Sequence, residues 1–150
     1  MRALLRRVLN ASVSADDKVV GSIEEGLVIY LGIGHDDHEE DAGWIIKKAL
    51  GIRVFDDREG RMNLPISNQA VILFISQFTL FGNVRKGNRP SFNDAANGEF
   101  AKGMFNSVCA RFYKMFPGQV QVGVFGAAMK VMAKDDGPVT IWLDSRNKYY

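Results

Sequence analysis

At 150 residues, with 47% apolar and 24% charged side chains, the chain has the composition of a globular protein and the length of one domain covering 1–150. A net charge of +2 is too small for a general polyanion binder, so any nucleic-acid footprint has to be local. No run of 18 apolar residues is present to cross a bilayer, the arginines in MRALLRRVLN do not suit a signal peptide, and a single cysteine excludes an internal disulfide, so a cytoplasmic protein is expected.

Residues 2–13 are β-prone but interrupted by Arg6 and Arg7. Residues 18–23 and 27–33 read as strands joined by a Glu25-Gly26 turn. LVIYLGI is a continuous apolar run, the pattern of a central strand covered on both faces. A helix is expected to open within 34–37, capped by Asp36 or Asp37. Glu39, Glu40 and Asp41 suit its positive end, Lys47 and Lys48 its last turn, and Gly51 its stop. A short strand at 52–55, a turn at 56–60 and a connection with Pro65 lead to the apolar strand 71–75. A second helix is predicted from Ser91 or Asn93 to about Phe116, with Phe105, Val108, Cys109, Phe112 and Phe116 on one face. Residues 119–124 alternate like a half-buried strand. Residues 129–133 and 139–143 read as two more strands around Asp136-Gly137-Pro138, and the polar tail 145–150 as frayed. This order predicts an α+β fold: a curved, barrel-like, mostly antiparallel or mixed sheet with two main helices packed on it.

Two stretches stand out chemically. Strand 71–75 runs into Ser76-Gln77-Phe78-Thr79, where two hydroxyls and a carboxamide can donate or accept without charge. They suit the floor of a site, or a strand end with satisfied hydroxyls. A basic loop follows, in which Arg85, Lys86 and Arg89 flank Gly87. They could grip phosphates or form a solvated loop, and Arg6 and Arg7 are ambiguous in the same way. The second stretch, DDGPVT, could be a turn, and its Gly137-Pro138 bond can be cis or trans. His35 and His38 in HDDHEED read as part of an acidic first helical turn in preference to a metal site. Cys109 reads as a small core side chain and not a nucleophile.

SQFTL at 76–80, RPSF at 89–92 and DGPVT at 136–140 together resemble the D-aminoacyl-tRNA deacylase family, as do RRVLNASV, LGIGHDD and RVFDD…GRMN. The resemblance covers essentially the whole chain. Asp135 stands where Asn is usual, and Ala128 where Asp is common. The resemblance implies an enzyme that hydrolyses the ester of D-aminoacyl-tRNA and of mischarged glycyl-tRNA. It implies a homodimer with the site at the interface, and no metal or organic cofactor. Ser76, Gln77, Phe78 and Thr79 would line the pocket of one subunit, with Gln77, Phe78 and Thr79 nearest the chemistry. Gly137-Pro138, followed by Thr140, would reach in from the other subunit as a cis pair against the substrate's chiral centre. Phe125 and Met129 would wall the pocket, and Arg85, Lys86 and Arg89 would meet the tRNA. The resemblance also implies that the tRNA's own 2′-hydroxyl assists, which suits a chain without an evident triad or activated thiol. Two rivals remain: a related deacylase of L-aminoacyl esters, which carries Pro-Gln in place of Ser76-Gln77 and a trans Gly-Pro, and a non-catalytic nucleic-acid-binding paralogue.

Overall fold

The structure, a computed structural model, describes residues 1–149. The chain opens with β1 (Arg2–Ala15) and β2 (Lys18–Ile23), an antiparallel hairpin. Its two-residue turn, Asp16-Asp17, has both residues at positive φ, the conformation that matches the twist of a tight hairpin. β3 (Gly26–Gly32) returns along the first half of β1, and α1 (Glu39–Gly51) follows. After a small hairpin of β4 (Phe55–Asp56) and β5 (Met62–Leu64) come β6 (Val71–Ser76), a 3-10 turn at Phe78–Phe81, α2 (Gly98–Met115), β7 (Gln119–Val122) and β8 (Met129–Asp144).

The main sheet runs in the order β2-β1-β3-β6-β7, and β8 pairs with β1 alone. β3, β6 and β7 are mutually parallel, whereas β1 is antiparallel to β2, β3 and β8. Parallel strands covered on both faces read as continuous apolar runs, and β3 and β6 are of that kind. At the start of β3 the two backbones come very close: a Cβ on Gly26 would stand 1.9 Å from the carbonyl oxygen of Val71. Both helices pack on one face of the sheet. Phe74 of β6 meets Phe112 of α2 edge-on, with centroids 4.6 Å apart. On the other face Val8, Val13, Ile23, Val28, Leu73 and Ile75 form a second apolar cluster, under the curl of the hairpin. The architecture is the expected α+β one, two helices on a nearly closed, mixed sheet.

Four expectations require correction. The stretches 129–133 and 139–143 are not two strands but one, β8, because β1 offers a continuous partner on both sides of the Gly137-Pro138 interruption. The second helix begins at Gly98 with Asn97 as its cap, whose side chain accepts from Phe100 N at 3.0 Å. Residues 91–96 are instead held by Asn83–Ser91 and Gly34–Ala95 bridges. The cap of α1 is His38, whose N–H donates to Asp41 Oδ2 at 2.9 Å, and neither Asp36 nor Asp37. Asp37 is buried and accepts from Gly34 N and the Met1 amino group. The tail is not frayed at its start: Ser145 is buried, its N–H bonds Met1 O, and its hydroxyl donates to Asp41. Tyr150 lies outside the described residues.

Candidate functional site

Three parallel strands, β3, β6 and β7, point their carboxyl ends the same way, and a cavity of about 360 Å³ opens beyond those ends. This is where open parallel sheets form crevices. Leu31 and Ile33 enter from the end of β3, Ser76, Gln77 and Phe78 from the end of β6, and Phe125 from just past β7. Gly98 and Ala101, in the first turn of α2, close another wall, and Met129 and Val131 of β8 complete it. None of the lining residues carries an ionisable side chain.

The polar part of the cavity is built by the strand-to-turn transition. Gln77 N donates to Leu31 O at 2.8 Å, which extends the β3–β6 pairing to its last step. The chain then tightens into the Phe78–Phe81 turn, and the Gln77 carboxamide donates to the Thr79 hydroxyl. Phe78 and Thr79 are the first residues of that turn, so their N–H groups have no acceptor within it. Phe78 is 57% exposed at the mouth, where its ring meets Phe92 edge-on at 5.0 Å. Phe125 is backed by Phe105 of α2, at 5.7 Å.

Phe92 also ends the basic loop. Asn83 and Ser91 exchange two backbone hydrogen bonds, 2.8 and 2.9 Å, and close residues 83–91 into a hairpin-like unit rooted beside the cavity mouth. Arg85, Lys86 and Arg89 line a second, polar concavity with Asn83, Ser91 and Asp94. All three cations are exposed, and among the described residues they form no ion pair.

Gly137, Pro138 and Thr140 are not in this chain's cavity. Arg6 lies opposite Thr140 and Val8 opposite Asp135, so residues 136–139 form a bulge set against Arg7 alone. The Gly137-Pro138 peptide is cis, and Gly137 has φ +113°. The cavity end of β8 lies opposite Ala15 and the bulge opposite residues 6–8. That separation is about 23 Å at the rise of a strand. Arg6 and Arg7, ambiguous in the sequence, are both engaged here. Arg6 pairs with Asp135 at 2.6 Å. Arg7 is buried, with Nε 2.8 Å from Asp136 Oδ2 and Nη1 bonded to Val54 O at 2.7 Å and to Asp56 Oδ1 at 3.2 Å.

The remaining candidates fall on structural roles. His35 Nδ1 pairs with Asp36 at 2.8 Å, and His38 caps α1. Cys109 sits in the core, and burial pushes its thiol up to about 12, so no thiolate forms at neutral pH. The α2 wall of the cavity and the engagement of the two arginines at the bulge are the features that sequence reasoning missed. Asn97 three residues before Phe100 was a capping signal for the wall, but nothing local marked the arginines.

Comparison with known proteins settles the class. The chain is 44% identical to the D-aminoacyl-tRNA deacylase of Fervidobacterium nodosum, covering 99% of this chain and 100% of that protein. It is 43% identical to the enzyme of the same description from Thermosipho melanesiensis, again over 99% and 100%. Among solved structures, one described as c-Myc DNA Unwinding Element Binding Protein superposes with a TM-score of 0.88 at 37% identity, over 96% of this chain and 98% of that one. A probable eukaryotic D-amino acid tRNA deacylase, at 19% identity and TM-score 0.77 over 95% and 97%, shares the fold. The protein is thus a hydrolase acting on aminoacyl-tRNA esters. Its residues 4–144 match the sequence pattern of the D-Tyr-tRNA(Tyr) deacylase, and the chain belongs to that family.

Proposed function

We propose that this chain, one domain over 1–150, hydrolyses D-aminoacyl-tRNA and glycyl-tRNA, spares L-aminoacyl-tRNA, and does so as a two-fold homodimer. The observation that carries the reading is a cavity at the end of β6 whose polar groups are all neutral, with Gln77 in its lining, bonded to Thr79 just outside it, and with the N–H groups of Phe78 and Thr79 lacking acceptors within their turn. An aminoacyl ester is already activated, so a site that orients it and stabilises an oxyanion needs no nucleophile of its own. The N–H groups of Phe78 and Thr79 face the developing oxyanion. Water adds to the ester carbonyl, assisted by the adjacent 2′-hydroxyl of the terminal ribose. The bond to the ribose 3′-oxygen then breaks, and that oxygen leaves with a proton. Ser76, Phe125 and Met129 hold the aminoacyl group.

The discriminating wall is Gly137-Pro138 of a second copy. On β8 the cavity residues Met129 and Val131 lie at the start and the bulge in the middle, and Gly137 and Pro138 do not line the cavity of their own chain. A two-fold axis crossing β8 between cavity residues and bulge, near Ala133, exchanges the two, bringing each bulge to the other copy's cavity. Carbonyls presented there, with Thr140 behind them, exclude an L side chain and leave a D side chain pointing outward. Glycine has nothing to exclude and is hydrolysed too. Rates on D-tyrosyl-, L-tyrosyl- and glycyl-tRNA test the reading, and comparable rates on the D and L esters would refute it. The 37%-identical structure described as a DNA unwinding element binding protein favours DNA binding beside hydrolysis as a second reading.

Two smaller effects follow from this reading. Thr79 orients the Gln77 carboxamide, so Thr79→Ala is expected to slow turnover about tenfold and no more, far from the loss that follows removal of a nucleophile. Isolation of an acyl-enzyme on Thr79 would contradict this. Arg85 and Lys86 meet tRNA phosphates, so Arg85→Ala with Lys86→Ala should flatten the log–log salt dependence of tRNA binding by about 1.4–1.8. An unchanged slope would return the loop to a solvated role.

A further inference from the structure

The register of β1 against β8 breaks around Gly137-Pro138, and one pair of charged side chains spans the break. Residues inserted into one strand of an antiparallel pair have no ladder partner, so their placement depends on what holds the two feet of the insertion. Arg6 holds both. Its main chain lies opposite Thr140 at one foot. Its guanidinium makes a two-pronged bond to Asp135 at the other, Nε to Oδ1 at 3.0 Å and Nη2 to Oδ2 at 2.6 Å. The remaining nitrogen, Nη1, donates to the Tyr30 hydroxyl of β3 at 3.3 Å, which fixes the guanidinium from the opposite side. The hydrogen bond to Asp135 also holds the Arg6 pKa above its ordinary value. A fork of this kind needs two acceptor oxygens in one plane, which a carboxylate has and a carboxamide lacks.

We propose that the Arg6–Asp135 pair is a positioning element for the Gly137-Pro138 bulge and sets how well the enzyme tells D- from L-aminoacyl esters. The proposal rests on the reading that this bulge walls the neighbouring copy's cavity. A wall that works by steric exclusion has to be held to about 0.5 Å, and an insertion fastened at one foot only is not. Arg7 grips Asp136 inside the bulge, while Arg6 fixes the span between its feet.

The test is kcat/KM on D- and L-tyrosyl esters of one and the same tRNA, for the wild type, Arg6→Gln, Asp135→Asn and the double variant, with Gly137→Ala alongside. Binding to the tRNA body is common to both esters, so it cancels in the D:L ratio and recognition of the chiral centre remains. Each single variant is expected to lower the ratio about 5–20-fold and the double variant no further than either single, since the paired residues act as a unit. Arg6→Lys keeps the charge but not the fork and should fall in between. Raising salt from about 0.05 to 0.5 M should lower the wild-type ratio and leave that of the double variant alone, because the pair is partly exposed and screened. If the single variants keep the wild-type ratio while Gly137→Ala abolishes activity, the clamp is overturned and the wall stands. Equal losses on both esters with a lowered Tm would reduce the pair to a structural contact and overturn the proposal. If Gly137→Ala also leaves every rate unchanged, the wall reading falls and the clamp falls with it.

Discussion

Gly137→Ala is expected to lower kcat/KM at least ~100-fold on D-tyrosyl- and glycyl-tRNA alike, about 2.7 kcal/mol of transition-state stabilisation, while the protein stays folded. Gly137 adopts φ +113°, where residues with a Cβ are strained. The added methyl would also stand 2.7 Å from Val139 Cγ2 and 3.0 Å from Val139 N, within its own bulge. The backbone there has to move. The strain, about 1–3 kcal/mol, is smaller than the roughly 5–15 kcal/mol that keeps a domain folded. The site feels it more than the fold does, because residues 136–139 carry no ladder pairing that would restore their position. A variant that merely relaxed specificity would gain on L-tyrosyl-tRNA. Displacing the wall and adding a methyl to it instead obstructs every substrate. Single-turnover deacylation, with circular dichroism as the folding control, measures the effect. Activity within twofold of wild type on either ester would remove Gly137 from the site.

Met132→Glu is expected to convert the protein into a folded monomer with less than ~1% of wild-type activity, since a two-fold interface meets its own copy and a new charge meets its like. Met132 is 75% exposed on β8, between the cavity residues and the bulge, opposite Ser12. Val19, 67% exposed, lies on β2, across β1 from β8, opposite Ser14. β8 pairs with β1 alone, so a 16-residue strand presents an uncovered edge beside exposed apolar side chains. Edges of that length are usually covered by another element or another chain. The substitution replaces an exposed side chain, so folding is little affected. In the proposed dimer activity would fall because each cavity would lose the other copy's bulge. Light scattering together with deacylation reads both consequences. A fully active species of 16.7 kDa would overturn both the dimer and the shared site.

The local chemistry of the chain determined a good deal by itself. LVIYLGI announced a central strand covered on both faces and 71–75 a buried strand before any partner was known, and both lie in the parallel part of the sheet. The helical face of Phe105, Val108, Cys109 and Phe112 was legible because its spacing repeats within one element, and all four residues are buried. The SQFT cluster could be placed at a strand end because the change from apolar to polar is itself local. What escaped depended on partners distant in sequence. The start of α2 moved from Ser91 or Asn93 to Gly98 because Ile33, Gly34 and Asn83 claim the intervening backbone. β8 became one strand because β1 is long enough to pair across a four-residue bulge, which no periodicity within 129–144 can reveal. Arg6 and Arg7 looked like surface cations until the fold brought Asp135, Asp136 and the Val54 carbonyl to them. The motif residues could be read from the chain. Their division, with Ser76 and Gln77 at the cavity beside Met129 and with Gly137 and Pro138 about 23 Å further along β8, came only from the register of β8 on β1.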